Sequence, residues 1–453
     1  MTDVNRINLA GLLERERTSF RAEHPGSMAL SRRSNHLFGG VPMTWMTRWS
    51  GGFPIALDSA KGNEITDVDG LKYIDFALGD TGAMAGHSPE PTVRAVTNRM
   101  TTLGGITTML PTEDAEWVAE ELARRFGLPE WSFSLTATDA NRWGIRLARL
   151  VTGKSKVLVF SYCYHGSADE TLIVVGPDGK AMSRPGNLAP AVDPRETTRV
   201  VEWNDLVALE RELAHGDVAA ILMEPALTNI GIVLPLPGFH ESVRALATKY
   251  GALLMIDETH TISAGPGGMT ARDSLEPDIF VIGKSLGGGI PSGAYGLSQE
   301  VADNLRRIKG DGDLGDVGGV GGTLAGNALS MAAMRATLDE VLTETAFARM
   351  IEMANKYTTE AEKIIVDADL PWSITQLGAR AEYRFVRPGP RNGGEAAAAA
   401  DSELDEYMHL YTLNRGILMT PFHNMALMCP DTSEADIDRH SEVFADAVME
   451  LVK

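Results

Sequence analysis

Two cysteines, Cys163 and Cys429, are all that this chain of 453 residues contains. A disulfide framework and a cysteine-built zinc site are thereby excluded. Nowhere does an apolar run approach the ~18 residues that a membrane-spanning helix needs. The opening stretch, MTDVNRINLAGLLERERTSF, scatters charges through a helical pattern and lacks the apolar core of a secretory signal. A reducing cytoplasm is the expected setting. Basic residues are scarce against acidic ones, 41 to 61, giving a formal charge of −20. Nucleic acid and anionic membrane surfaces are poor partners for such a chain. A local basic pocket for an anionic ligand remains compatible with it. Histidine pairs at metal-binding spacing are missing beside Asp257 and His260, so no metal is expected.

What is present is the composition of a globular protein: 44% hydrophobic residues, 23% charged, 46 glycines. The length exceeds what one core serves and predicts two or three domains. Residues 1–75 read as an N-terminal arm and hairpin, 76–335 as a large domain, and 336–453 as a smaller α+β C-terminal domain. In the arm, HPGSMALSRRSNHLFGGVPMTWMTRWSGGFP has no clear periodicity and predicts irregular structure. A β-hairpin follows in IALDSAKG and EITDVDGLKYIDFA, with a tight turn at Asp69–Gly70. From Glu113 onward, Trp117, Val118, Leu122 and Phe126 recur at helical spacing. Four short apolar runs come next: KVLVFSY (156–162), VAAILMEP (218–225), ALLMIDE (252–258) and DIFVIGK (278–284). Helical stretches such as Leu206–Leu213 and Glu241–Tyr250 separate them. This alternation predicts an α/β fold with a mostly parallel central sheet covered on both faces by helices. A helix-like run spans 326–365, and RPGPRNGGEAAAAADSE is a Pro/Gly-rich loop passing into alanines. Ser433 and Asp436 form a capping box ahead of Ile437, Phe444, Val448 and Leu451.

Ligands of open α/β sheets bind beyond the carboxyl ends of the strands. Here those ends carry Tyr164, His165, Glu224, Asp257, His260 and Lys284. In DIFVIGKSLGGGIP, Lys284 stands between Gly283 and Ser285, just ahead of three glycines. The letters GKS also close a phosphate-binding P-loop, but that motif requires glycine at position 278, which is Asp278. Two readings remain. Lys284 either snorkels into solvent, or sits in a dry, glycine-lined place where a lowered pKa suits a Schiff base with an aldehyde. Asp257, in LLMIDETHT, is open to a structural role, to metal ligation with His260, or to pairing with a buried cation. Beside a Schiff-base lysine that cation is a protonated pyridine nitrogen, which pyridoxal phosphate needs in order to accept electrons. FSLTATDANRWGIRLARL (133–150) runs from a strand end through a Thr-Ala-Thr turn into a helix. The start of a helix is an anion site by construction; an ordinary helix capped by Thr136 or Thr138 is the plainer alternative. YCYHG (162–166) sets an aromatic ring just past a strand.

Six motifs, in order, are DVDGLKYIDF, CYHG, EPALTNIGIVLPLPGFHESVR, IDETHT, GKSLGGGIPSGAYG and GGTLAGNALSMAA. Together they resemble class III pyridoxal-phosphate aminotransferases, nearest the glutamate-1-semialdehyde aminomutase branch, over roughly residues 55 to 450. The resemblance implies fold type I and pyridoxal 5'-phosphate as cofactor. It implies that Lys284 bonds the cofactor and shuttles the substrate proton, while Asp257 pairs with the pyridine nitrogen. Tyr164 and Thr259 would face the two sides of the ring, and Asn229 its phenolic oxygen. Ala137 and Thr138 would hold the phosphate, with Thr323 reaching it from the other subunit of a homodimer. Glu224 and His260 would line the pocket behind these.

Departures from the family pattern shape the expected reaction. TATDA (136–140) replaces Ser-Gly-Thr-Glu-Ala, and IDETHT replaces the usual valine by Thr259, followed by His260. TPFHNMALM (420–428) lacks the arginine many α-amino-acid transaminases use. It also puts Asn424 or Met425 where the aminomutase branch has glutamate. The reading is a transaminase passing an amino group from an amine, β-amino acid or amino acid to a ketone, aldehyde or keto acid. An aminomutase or racemase on the same scaffold is the alternative. Arg32 and Arg33, in LSRRSN, are the candidates for binding a substrate carboxylate.

Overall fold

A computed structural model describes residues 4–309, 319–420 and 423–453. The chain divides into two compact units. One joins Glu90–Glu344 to Pro390–Ala398; the other joins Met1–Pro89, Thr345–Gly389 and Ala399–Lys453.

The first unit is built on a seven-stranded sheet. Numbered along the chain, its strands are β1 (Glu130–Ser134), β2 (Lys156–Phe160), β3 (Thr198–Val201), β4 (Val218–Met223), β5 (Leu253–Asp257), β6 (Ile279–Ile282) and β7 (Gly293–Leu297). Across the sheet they lie in the order β1, β7, β6, β5, β4, β2, β3. Neighbours pair in parallel except at β7, which is antiparallel to both β6 and β1. Every residue of β4 and β6 is buried. These strands are continuously apolar because a parallel sheet is covered on both faces. Since six strands run the same way, the segments leaving β1, β2, β4, β5 and β6 emerge at one end of the sheet. That end carries Thr136–Thr138, Tyr164, Glu224, Asp257 and Lys284.

The run 326–365 is not one helix. Ala328–Ala336 continues into a wider π-turn, Thr337–Val341, and a separate helix begins at Glu344 and ends at Asp367. The buried Arg125 donates to the carbonyls of Leu338 (2.7 Å) and Leu342 (3.0 Å). These carbonyls at the helix end would otherwise be unsatisfied. A break stabilised from more than 200 residues away leaves no local periodic signature.

The second unit is α+β. A hairpin of Glu64–Asp67 and Lys72–Asp75 turns through Asp69–Gly70, and Leu57–Lys61 flanks it. Ile417–Leu418, from far along the chain, pairs in parallel with Lys72–Asp75. Phe20, Phe53, Tyr73, Ala77, Leu410, Leu413 and Leu418 form the core beneath. A three-stranded antiparallel sheet of Ser373–Leu377, Arg380–Arg384 and Met425–Leu427 completes it. The capping box of Ser433 and Asp436 opens the last helix, Glu434–Leu451. In the arm, Pro25–Arg33 is helical where the sequence predicted irregular structure. Its first turn is tied down by Asp69, whose carboxylate accepts from the Ser27 amide and hydroxyl, both at 2.9 Å. Pro25 at the first helical position suits such a start.

Candidate active site

Lys284 stands two residues past the end of β6, and its φ of +53° lies in the left-handed region. A side chain larger than glycine's rarely adopts it without compensation from its surroundings. The residue before it is glycine for a steric reason: a Cβ on Gly283 would stand 3.0 Å from both the Cβ and the amide nitrogen of Ala137. The lysine backbone therefore lies against the start of the helix Ala137–Thr152. Thr136 caps that helix, its hydroxyl accepting from the Asp139 amide at 3.1 Å. The amides of Ala137 and Thr138 have no acceptor within the helix, as its geometry dictates. Gly166, with φ +82°, lies directly on this start; a Cβ there would collide with the Thr138 hydroxyl. The YCYHG loop thus packs on the helix beside the lysine.

Asp257 closes β5 and is 3% exposed. Its Oδ1 accepts from the amide (3.0 Å) and hydroxyl (2.6 Å) of Thr259. Its Oδ2 accepts from Asn141 Nδ2 (2.7 Å) and from His165 Nδ1 (3.0 Å). Burial opposes ionisation of this carboxyl, but His165, then Thr259 and Asn141, outweigh it and hold its pKa below the usual value. Burial likewise opposes charge on His165. The Cys163 sulfur and the bond to Asp257 more than offset that and push the imidazole well above its ordinary range. A buried, ionised carboxylate is what a protonated ring nitrogen requires as a partner.

On the other side of the lysine, Lys284 Nζ meets His260 Nε2 in a short hydrogen bond. His260 Nδ1 lies 2.8 Å from the Thr228 hydroxyl, which donates to Glu224 Oε2. The remaining oxygen, Oε1, accepts from the Tyr164 amide at 3.0 Å. Burial raises the pKa of Glu224, with the Asp257 charge adding to it, against the pull of His165, Thr228 and the Tyr164 amide.

Nine of the residues anticipated from sequence thus surround one end of the sheet: Ala137, Thr138, Tyr164, Glu224, Asn229, Asp257, Thr259, His260 and Lys284. Asn229 lies half-buried one residue past Thr228. The Thr259 hydroxyl is directed at Asp257. Thr323 is placed apart from them: it is exposed and lines a cleft of about 340 Å³ with Thr108, Met109, Leu110 and Phe133. Arg32 and Arg33 end the helix Pro25–Arg33 in the other unit, both exposed. Pro421 and Phe422, within the stretch 420–428, lie outside the described residues. Three participants had no role assigned from sequence: Asn141, His165 and Thr228. Asn141 sits four residues after Ala137, and Thr228 four after Glu224. Those spacings were the available signal.

The chain is similar to several known proteins. Residues 45–448 match the model of the family Aminotransferase class-III. Glutamate-1-semialdehyde 2,1-aminomutase of Desulforapulum autotrophicum is 34% identical over 418 residues, spanning 89% of this chain and 93% of that protein. The structure of a glutamate-1-semialdehyde-aminomutase from Pseudomonas aeruginosa PAO1, in complex with PMP, superposes with a TM-score of 0.96. It is 45% identical and covers 99% of each chain. An omega-transaminase from Sphaerobacter thermophilus is 25% identical with a TM-score of 0.84, covering 94% of this chain and 97% of that one.

Proposed function

The chain belongs to the class III aminotransferase family, and from that membership we propose that it is a pyridoxal-phosphate enzyme moving an amino group between neighbouring carbons of one amino-aldehyde substrate. Its architecture is that of the fold type I transferases. The site fits the cofactor: a lysine at a strained strand end, a carboxylate held ionised by a buried histidine, and open helix amides stand together. Bound there, pyridoxal phosphate supplies an electron sink for a substrate carbanion. Lys284 would hold it covalently and carry a proton between the two substrate carbons. Asp257 would keep a proton on the ring nitrogen, and the amides of Ala137 and Thr138 would bind the phosphate. Tyr164, fixed through its amide by Glu224, would stack on the ring; Asn229 would reach the phenolic oxygen.

The intramolecular reaction is supported by one observation above others, the full-length likeness at 45% identity to a named aminomutase. It reverses the order of the two readings made from sequence. The two-substrate transaminase keeps one observation in its favour. Where the aminomutase branch has glutamate, the Asn424 amide donates to Asp405 at 2.8 Å and Met425 Sδ meets Arg380 Nε at 2.6 Å. Neither residue offers a carboxylate. Glutamate 1-semialdehyde given alone separates the two. The expected product is 5-amino-4-oxopentanoate, formed without release of a keto acid. Turnover that begins only when a second carbonyl compound is added would select the transaminase.

A homodimer with shared sites is part of the proposal. Exposed Met100, Leu103, Met109, Leu110 and Leu324 cluster in sequence around the segments that line the Thr323 cleft, an apolar surface of the kind that partners cover. Lys284→Ala and Thr323→Asp variants, each inactive alone, should regain about a quarter of wild-type activity when refolded together. Half the random dimers are mixed, and each mixed dimer carries one intact site in two. Persistent inactivity of the mixture would mean that the two residues serve the same subunit. Arg32 and Arg33 remain the candidates for a substrate carboxylate, which a guanidinium fork binds in two places.

A further inference from the structure

The path from Lys284 through His260 and Thr228 to Glu224 has a consequence for where protons reside. Thr228 has a single hydroxyl proton, and it is committed to Glu224 Oε2. Its oxygen therefore accepts from His260 Nδ1, 2.8 Å away, which makes Nδ1 the protonated nitrogen of a neutral ring. The bare lone pair on Nε2 then faces Lys284 Nζ. Each link thus has a donor pointing toward Glu224 and an acceptor pointing back toward the lysine. Glu224, Thr228 and His260 are buried, and Lys284 is half-buried.

Resting on the assignment of Lys284 as the cofactor lysine, we infer that these four residues form a proton wire on which Glu224 stores the proton of Lys284. The balance is closed. Lysine ammonium gives one proton to His260 Nε2, His260 Nδ1 passes its own to Thr228, and Thr228 passes its own to the Glu224 carboxylate. Three protons shift by one bond each. A half-buried ammonium and a buried carboxylate become a neutral amine and a neutral acid, and His260 changes tautomer while staying uncharged. The exchange removes a buried carboxylate charge, costly to keep out of water, together with the half-buried ammonium charge. It leaves Lys284 as the free base that attack on an aldehyde or removal of a carbon-bound proton demands. Asp257 and His165 face the same space, but their opposite charges are paired with each other at 3.0 Å and act on Glu224 in opposite senses.

The signature of a shared proton is a plateau. Over the range in which Lys284 and Glu224 together hold one proton, the neutral fraction of the lysine is fixed internally and does not follow pH. An isolated lysine instead becomes tenfold more reactive per pH unit below its pKa. The test is trace acetylation of the full-length, cofactor-free chain by acetic anhydride. Modification of the peptide carrying Lys284 is quantified by mass against the exposed Lys180. Wild type should give a flat rate for Lys284 between about pH 6 and 9, as should Thr228→Ser, which keeps the hydroxyl. Glu224→Gln should restore a rate climbing about tenfold per unit, and Thr228→Val, which takes a hydrogen bond from the Glu224 carboxylate and so favours its protonated form, should raise the plateau. A wild-type rate that climbs as steeply as that of Glu224→Gln overturns the wire, and so does a Thr228→Val plateau of unchanged height. Because no cofactor is present, either failure leaves the covalent role of Lys284 standing. That role fails separately, if reduction of the loaded enzyme labels another lysine.

Discussion

Lys284→Ala should lose turnover by on the order of 10⁵-fold, about 7 kcal/mol of barrier at ~1.4 kcal/mol per decade. Two functions disappear in one substitution, the covalent hold on the cofactor and the carrier of the substrate proton. Borohydride treatment of wild type should leave the mass of the reduced cofactor on the peptide IFVIGKSLGGGIP, and no label on that peptide in the variant. A small primary amine in the buffer should restore part of the proton transfer, which a misfolded variant would not allow. The backbone gives a further reason for so specific an effect. Lys284 holds φ at +53°, a strain that structures maintain where it serves a purpose, with Gly283 pressed against the helix start. Another lysine carrying the label would sink the whole functional reading.

The second large effect is at Asp257. Asparagine keeps the shape and at least the Thr259 amide bond, but it cannot hold a proton on the ring nitrogen. The expected loss is on the order of 10³–10⁵-fold in rate, about 4–7 kcal/mol, with a smaller loss in cofactor affinity. His165 provides an independent readout. In the native protein its imidazole is held well above the ordinary range, partly by Asp257. In Asp257→Asn that support is gone while burial remains, so the ring should release its proton at lower pH, visible in its NMR titration. The sign follows from linkage. Asp257, with a depressed pKa, contributes stability above its unfolded-state pKa that is lost as pH falls through the folded value. His165, with a raised pKa, contributes below its unfolded-state value, and this is lost as pH rises through the folded one. The pair is therefore intact across neutrality and weakens on both sides. Near-normal turnover in Asp257→Asn would remove the carboxylate from the mechanism.

Much of the scaffold around these two residues was legible in the chain. Parallel strands buried on both faces show themselves as unbroken apolar runs, and β4, β5 and β6 begin and end within two residues of the predicted stretches. Their carboxyl ends were legible for the same reason, since the first polar residue after each run is where the sheet opens. Other features were hidden because their cause lies far along the chain. The helix Pro25–Arg33 has no amphipathic stripe, and its start is held by Asp69. The stop at Leu342 is held by Arg125. The proton wire joins Glu224, Thr228, His260 and Lys284 across the ends of three strands, β4, β5 and β6, and only the first two are close in sequence. His165 stood among the strand-end residues, but its partner was not legible. It faces Asp257, 92 positions away, and no spacing rule reaches that far.

Ile417 pairs with Ile74 in the second unit, and this pairing bears on how the protein is made. The sheet begun by the hairpin near residue 70 must wait for a strand some ~340 residues downstream, tens of seconds at a synthesis rate of about 5–20 residues per second. The intervening segment Glu90–Glu344, by contrast, supplies all seven strands of its own sheet without help from later sequence. The middle of the chain can therefore assemble first, and the two segments paired at Ile417 and Ile74 find each other last.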